Sequence, residues 1–163
     1  MSVVAAKVFP DRIEIASDSI LIKDDLKKTN FKKMLSTPTI TVGGCGNAEE
    51  LQLFFTFVSN NAPDDGTSKG VLDYMKQFAN WKAQYTNDDT IKNCYLIITD
   101  HKLYEVDEMF VQKIDDYTAI GEGEPYALAA LHLGHSVEAA VHTACDLCCF
   151  VAPPVSKYTV MKV

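Results

Sequence analysis

The sequence has few basic side chains: it carries 15 lysine and arginine residues against 22 aspartate and glutamate residues, a formal net charge of −7. Nonspecific binding to nucleic acid needs a basic face, so this balance argues against it. The sequence also lacks an apolar run near the ~20 residues of a membrane span and the basic and apolar segments of a secretory signal. We therefore expect no nucleic-acid partner, no membrane partner and a cytoplasmic location.

Internal repeats, low-complexity segments and linkers are also missing from the sequence. Hydrophobic residues make up 47% of the 163 residues, which is enough for one full hydrophobic core. We therefore predict a single domain spanning residues 1–163.

Cysteine is present in an odd number, five, and three of the cysteines fall within five residues. Cys145 and Cys148 have the spacing of a zinc or redox half-site, and His142 is the nearest further metal ligand. The segment reads as a buried helix, where cysteine behaves as a small hydrophobic residue. We favour this buried role over zinc binding or redox chemistry, and we expect no metal and no cofactor.

Period-two patterns and turn residues predict a series of short strands. These strands cover residues 2–8, 12–18, 20–23, 30–35, 39–42, 93–99, 102–106, 109–114, 117–120 and 155–163. The strand at 39–42 is expected to end in a loop, Gly-Gly-Cys-Gly, at residues 43–46. Most of the strands are joined by short turns, so the pattern favours antiparallel pairing.

Two pairs of helices separate the strands. Asn47 is a predicted N-cap with Glu50 at the third helical position, and Ser68 is the predicted cap of the second helix. Pro125 begins the third helix, which runs to Gly134, and Ser136 caps the fourth. The predicted inward faces carry Leu51, Phe54, Phe55 and Val58; Val71, Leu72, Met75, Phe78 and Ala79; and Val137, Val141, Ala144, Cys145 and Cys148.

The element order is therefore strands, two helices, strands, two helices and a strand. Each sheet in such a chain can bury one face on the other sheet and one face on a helix pair. We predict the α+β class and a four-layer αββα sandwich of two antiparallel sheets flanked by helix pairs.

The chain begins Met-Ser, followed by an apolar strand. Methionine before so small a residue is usually trimmed, and trimming would give Ser2 a hydroxyl and a free α-amine on one residue. A hydroxyl nucleophile that uses its own N-terminal amine as base is a known catalytic unit. By itself, this start is common and carries little information.

Five stretches resemble, in the same order, the proteasome-type N-terminal nucleophile hydrolases, and most closely the bacterial HslV-type peptidase subunit. They are residues 15–18, 29–34, 43–49, 119–130 and 144–148. The strongest is Ala-Ile-Gly-Glu-Gly-Glu-Pro-Tyr-Ala from residue 119, which is similar to the family's Ala-Ile-Gly-Ser-Gly-Gly-Pro-Tyr-Ala. Asp18 lies sixteen residues after Ser2, the separation between the family's catalytic threonine and aspartate.

The resemblance implies a role for each matching residue. Ser2 would be the nucleophile, Lys33 the charged lysine beside it, Asp18 the carboxylate that holds the lysine, and Gly46 the oxyanion-hole donor. The reaction would be peptide hydrolysis through an ester on Ser2. The resemblance further implies polypeptide substrates, a homo-oligomeric ring and an ATP-dependent unfoldase partner.

Two positions depart from the family pattern: Ser2 replaces threonine, and Glu122 replaces a serine near the N-terminal amine. A carboxylate at position 122 would either pair with the ammonium and raise its pKa or serve as a surrogate base. The alternative function is therefore a catalytically silent protein of this fold that assembles or binds a partner. Hydrolysis of a small-molecule amide is a third, less favoured function.

Overall fold

A computed structural model describes all residues from Met1 to Val163, arranged as eleven strands and four helices. The strands are β1 Val3–Val8, β2 Arg12–Ser17, β3 Leu21–Lys23, β4 Leu26–Lys28, β5 Met34–Ser36, β6 Ile40–Cys45, β7 Cys94–Thr99, β8 Lys102–Asp107, β9 Phe110–Ile114, β10 Tyr117–Gly121 and β11 Ser156–Met161. The helices are α1 Ala48–Val58, α2 Ser68–Thr86, α3 Glu124–His132 and α4 Val137–Leu147. None of these helices is long and apolar enough to cross a membrane.

The strands form two antiparallel sheets and a small ribbon. The first sheet has the order β10-β1-β2-β11 and the second has the order β5-β6-β7-β8-β9, while β3 and β4 pair only with each other. Although β9 and β10 are consecutive, they lie in different sheets, so the chain passes from one sheet to the other after Ile114. The last strand, β11, returns to pair with β2 in the first sheet.

Three buried clusters show the four layers. One cluster joins α1 and α2 to β6, β7 and β8, and a second joins α3 and α4 to the first sheet. The third lies between the sheets and combines Val4 and Ile15 of the first sheet with Leu96 and Ile98 of the second. The predicted α+β class and αββα sandwich are therefore confirmed.

Helix ends follow the sequence closely, with one correction. Asn47 and Ser136 cap their helices through side-chain oxygens, as predicted, whereas the second helix is capped by Thr67 and not by Ser68. The Thr67 side chain accepts a hydrogen bond from the Gly70 amide, which places Ser68 inside the first turn. The prediction was one residue late because either hydroxyl residue could serve as the cap.

The predicted inward faces of α1 and α2 are wrong at one position each. Phe57 is buried where Phe55 was expected, and Tyr74 is buried whereas Leu72 is 37% exposed. The burial of Phe57 lets its ring contact Tyr74 and Phe78 of α2 at centroid distances of 5.1 and 5.5 Å. Packing between two helices widens the buried stripe beyond one row of side chains.

The glycine segment before α1 was expected to be a loop, but Gly43, Gly44 and Cys45 belong to β6. A Cβ on Gly43 would lie 2.7 Å from Cγ1 of Val4, in the opposite sheet. Glycine is therefore needed here because the two sheets approach closely, and the chain leaves the strand only at Gly46, whose φ is +124°.

The paired cysteines lie at the end of α4. Cys148 is buried within the cluster under α3 and α4, and the half-buried Cys145 packs against that cluster. Burial raises the pKa of the Cys145 thiol to about 11. Both cysteines therefore contribute to packing in this layer.

Candidate active site

Asp18 follows β2 directly and is fully buried. One of its carboxylate oxygens, Oδ1, accepts from the Val3 amide at 3.0 Å, and Oδ2 accepts from the amides of Ile20 and Ala152 at 3.3 Å each. A buried carboxylate stays charged only when donors surround it, and these amides supply three of them. Asp18 therefore connects β1, the segment after β2 and the segment before β11.

Lys33 supplies the fourth donor to Asp18. Its backbone carbonyl accepts from the Gly44 amide, which fixes the residue beside β6, and its ammonium lies 2.8 Å from Oδ1 of Asp18. Burial lowers the pKa of Lys33, while the negative charge of Asp18 acts in the opposite direction. The same ammonium lies 3.2 Å from the carbonyl oxygen of Met1, so it reaches the peptide bond that precedes Ser2.

Ser2 is 4% exposed, whereas Met1 is 44% exposed. The Ser2 hydroxyl donates to the Met1 carbonyl oxygen at 2.5 Å, and the Ser2 carbonyl accepts from the Gly123 amide at 3.1 Å. The backbone of Ser2 is thus held by the turn that opens α3, while its side chain faces Lys33 across the Met1 carbonyl.

Gly46 lies where β6 gives way to α1. It lines, with Ser2 and Lys33, a cavity of about 50 Å³ whose other walls include Ile20 and Leu51. The structure therefore brings together all four residues singled out in the sequence: Ser2, Lys33 and Gly46 on one cavity, with Asp18 bonded to the lysine behind it. The arrangement brings a hydroxyl, an ammonium and the backbone of Gly46 to one cavity.

Glu122 was expected to approach the N-terminal amine. Its side chain is exposed and makes no ion pair while Met1 is attached, and its carbonyl oxygen accepts a weak hydrogen bond from the Cys148 thiol at 3.8 Å. Since Ser2 has no free ammonium while Met1 is attached, the pairing of Glu122 with that ammonium stays a prediction.

Sequence reasoning missed a second buried ion pair, which lies behind Gly46. Glu50 and Lys82 are 4% and 3% exposed, and Lys82 Nζ lies 3.6 Å from Glu50 Oε2. The Glu50 carboxylate also accepts from the backbone amide of Asn93 at 3.0 Å and from the hydroxyl of Tyr95, in β7, at 2.9 Å. The only sequence signal was Glu50 at a position typical of a capping box, which predicts a different partner for its carboxylate.

Comparison with solved structures identifies the shared fold. Thiobacillus denitrificans BPH in complex with epoxomicin superimposes with a TM-score of 0.85 at 17% sequence identity, over 98% of each chain. A second structure of Thiobacillus denitrificans BPH gives 0.85 at 20% identity, over 98% of this chain and 97% of the other. Eukaryotic HslV from Trypanosoma brucei gives 0.75 at 14% identity, over 98% and 99%.

No protein-family model matches the chain, and no curated protein sequence matches it. The structural likeness, at identities of 20% or less, establishes the fold alone. The resemblance to HslV-type subunits that the sequence motifs indicated is confirmed at the level of that fold.

Proposed function

We propose that this chain is an N-terminal nucleophile peptidase that cleaves peptide bonds with Ser2 after Met1 is removed. The observation that carries the proposal is the buried Asp18–Lys33 pair, whose ammonium lies 3.2 Å from the carbonyl oxygen immediately before Ser2. A buried ion pair is a poor source of stability, since desolvation of both charges offsets much of their attraction. An ammonium held beside the residue that would become the N-terminus is better explained by a role in catalysis than by a role in stability.

In the proposed reaction, the free α-amine of Ser2 accepts the hydroxyl proton, and Oγ attacks the carbonyl carbon of the substrate peptide. The tetrahedral intermediate collapses as the amine proton passes to the leaving nitrogen, which leaves an acyl ester on Ser2. Water, deprotonated by the same amine, then hydrolyses the ester and releases the second product.

Two groups in the cavity are assigned to stabilise charge during these steps. The Lys33 ammonium lowers the pKa of the neighbouring hydroxyl and amine, which favours an active base and nucleophile at neutral pH. The Gly46 N–H is the proposed donor to the oxyanion, and loss of such a donor lowers kcat about 10²–10³-fold. Asp18 acts on Lys33, which it holds in place and keeps charged.

The proposal extends to the whole particle on the basis of the family resemblance. We propose polypeptide substrates, a single domain over residues 1–163, a homo-oligomeric ring in the cytoplasm and an ATP-dependent unfoldase as partner. Glu122, at the position of the family's serine, is the feature that favours the alternative of a catalytically silent protein.

A covalent peptide epoxyketone tests the proposal directly. Protein beginning at Ser2 is incubated with epoxomicin beside two controls, Ser2→Ala and protein that retains Met1, and intact mass is measured. We expect one inhibitor added per chain in the first sample only, together with hydrolysis of fluorogenic peptides. Trimmed protein that stays unmodified and hydrolyses no peptide would establish the silent alternative.

A further inference from the structure

The N-terminus of α1 is held in an unusual way. The Asn47 side chain caps the helix by accepting from the Glu50 amide at 2.9 Å. In a capping box the third residue would return a bond to the backbone N–H of the cap. Here that N–H donates instead to Oδ1 of Asn93 at 2.6 Å, and Nδ2 of Asn93 donates to the Asn47 carbonyl at 2.8 Å.

The two hydrogen bonds fix both polar backbone groups of Asn47, and Asn93 also contacts the residue before it. A Cβ on Gly46 would lie 2.3 Å from Oδ1 of Asn93, so the amide side chain packs directly on Gly46. The φ of +124° at Gly46 is open to glycine and unfavourable for other residues, so no side chain at this position can fill the space that Asn93 occupies. Gly46 is therefore enclosed by Asn93 on one side and faces the cavity of Ser2 on the other.

Glu50 in turn anchors Asn93. The capping bond uses only the backbone amide of Glu50, so its side-chain carboxylate is available for other partners. The Glu50 carboxylate accepts from the amides of Asn93 and Lys92 at 3.0 Å each and from the Tyr95 hydroxyl at 2.9 Å. The Lys82 ammonium, 3.6 Å from the same carboxylate, also donates to the Thr90 carbonyl at 2.5 Å. The buried side chains of this network have their polar atoms satisfied, which is the condition for a rigid buried network.

We propose that Asn93 is a positioning residue that holds the Gly46–Asn47 backbone in the orientation needed for the Gly46 N–H to face the reacting carbonyl, with Glu50 and Lys82 holding Asn93. This inference rests on the proposed function, because it assigns Asn93 to the donor group of the Ser2 site. Rigid donors stabilise a developing oxyanion without reorganising during the reaction, so a loosened Gly46 would lower kcat more than it weakens substrate binding.

The test compares variants of the trimmed protein by steady-state hydrolysis of a fluorogenic peptide, well below the unfolding temperature. Asn93→Ala removes both bonds to Asn47, and we expect kcat to fall at least tenfold while KM stays within threefold. Asn93→Asp keeps the side-chain volume and the acceptor but loses the donor to the Asn47 carbonyl, and the same pattern is expected. If Asn93→Ala does not fold, the kcat and KM of Asn93→Asp serve as the test.

Tyr74→Phe is the matched control. Tyr74 is also buried under the second sheet, and its hydroxyl donates to the Asn61 carbonyl at 2.9 Å, away from Gly46. We expect this variant to lose stability and to keep kcat within twofold of the wild type. Hydrogen exchange, followed by mass spectrometry, should accelerate in residues 46–50 of the Asn93 variants and not in the control.

Three results would count against the inference in distinguishable ways. If the trimmed wild type hydrolyses no peptide and forms no epoxyketone adduct, the proposed function fails and the inference fails with it. If the wild type is active and both Asn93 variants keep kcat within threefold, only the inference fails. A rise in KM at unchanged kcat would also overturn it, because it would place Asn93 in substrate binding.

Discussion

Asp18 and Lys33 form a buried pair of opposite charges. The side chain of Asp18 is 0% exposed and that of Lys33 is 2% exposed. Three backbone amides share the carboxylate with the lysine, so removal of the lysine leaves the aspartate partly compensated. Removal of the aspartate leaves the Lys33 ammonium with one hydrogen-bond acceptor, the Met1 carbonyl. Removal of Met1 as well takes away that acceptor.

The two single substitutions should therefore differ in their cost. We expect Lys33→Met and Asp18→Asn each to lower the free energy of unfolding by about 3–5 kcal/mol, the usual effect of breaking a buried pair, with Asp18→Asn the more severe. The double variant should lose less than the sum, which urea denaturation of all four proteins will measure.

Lys69→Met provides the control for this cycle. Lys69 pairs with Asp73 at 2.6 Å, but the pair lies on the surface of α2, where solvent screens it. The midpoint of urea denaturation should hardly move in this variant. Strict additivity of the two buried substitutions would contradict the interaction described for Asp18 and Lys33.

At the scale of single elements, the close approach of β6 to β1 sets a second expectation. Gly43→Ala would place a methyl group 2.7 Å from Cγ1 of Val4, and we expect a loss of about 1–3 kcal/mol in the free energy of unfolding. Val4→Ala makes room for that methyl group. The double variant Gly43→Ala/Val4→Ala should therefore be more stable than the two separate losses predict.

Thermal and urea denaturation of the four proteins measure this coupling. Ala6→Gly, in the same strand as Val4 and between the same sheets, serves as a control that should add independently to Gly43→Ala. If the losses in the free energy of unfolding of Gly43→Ala and Val4→Ala simply add in the double variant, the sheets move apart to accept the new methyl group, which then does not clash with Val4.

The elements that the sequence predicted are those governed by local chemistry. Asn47 and Ser136 cap helices because their side chains bond to amides three residues ahead, which one chain segment is enough to specify. Gly43 and Gly44 could not be placed from the sequence, since two glycines favour a loop until the opposing strand is known. The strand at this position exists because glycine lets Val4, and on the other face Leu51, pack against it.

The candidate site likewise contains residues that the sequence predicted and residues that it did not. Ser2, Asp18, Lys33 and Gly46 came from spacings that match a known family, and the structure places them around one cavity or directly behind it. Asn93 and Lys82 had no such spacing. Their contacts with Asn47 and Glu50 join residues 32 to 46 positions apart, and such contacts depend on how α1 and α2 pack on the sheet.

The whole molecule has two unequal helix layers. The layer of α1 and α2 is aromatic, with the ring of Phe54 lying 4.3 Å from that of Tyr95 and 4.8 Å from that of Phe78. The layer of α3 and α4 is built from small residues such as Ala127 and Val141. Three of the buried rings in the aromatic layer, those of Tyr74, Tyr95 and Tyr104, carry hydroxyl groups.

Burial raises the pKa of both Tyr74 and Tyr95 in the folded protein. The unfolded chain therefore loses these two protons first, near the ordinary value of about 10, and stability falls as the pH rises further. We expect a decline of about 1.4 kcal/mol per pH unit for each of the two tyrosines once the pH exceeds 10. Lys33, with its lowered pKa, acts in the opposite direction below about 10.5, which moderates the start of the decline.

Unfolding free energies measured between pH 9 and pH 11 test this expectation. Tyr74→Phe should lose some stability at neutral pH, through its bond to Asn61, and should show a shallower decline above pH 10 than the wild type. Equal slopes for the two proteins would mean that Tyr74 ionises in the folded state as readily as in the unfolded one.

The bonds of Asp18 also impose an order of events during synthesis on the ribosome. The carboxylate needs the amide of Ala152, which lies 134 residues further along the chain. At 5–20 residues per second, that amide is added on the order of ten seconds after Asp18. Until then the carboxylate lacks one of its three amide donors, so the final packing around Asp18 forms only after nearly the whole chain has been made.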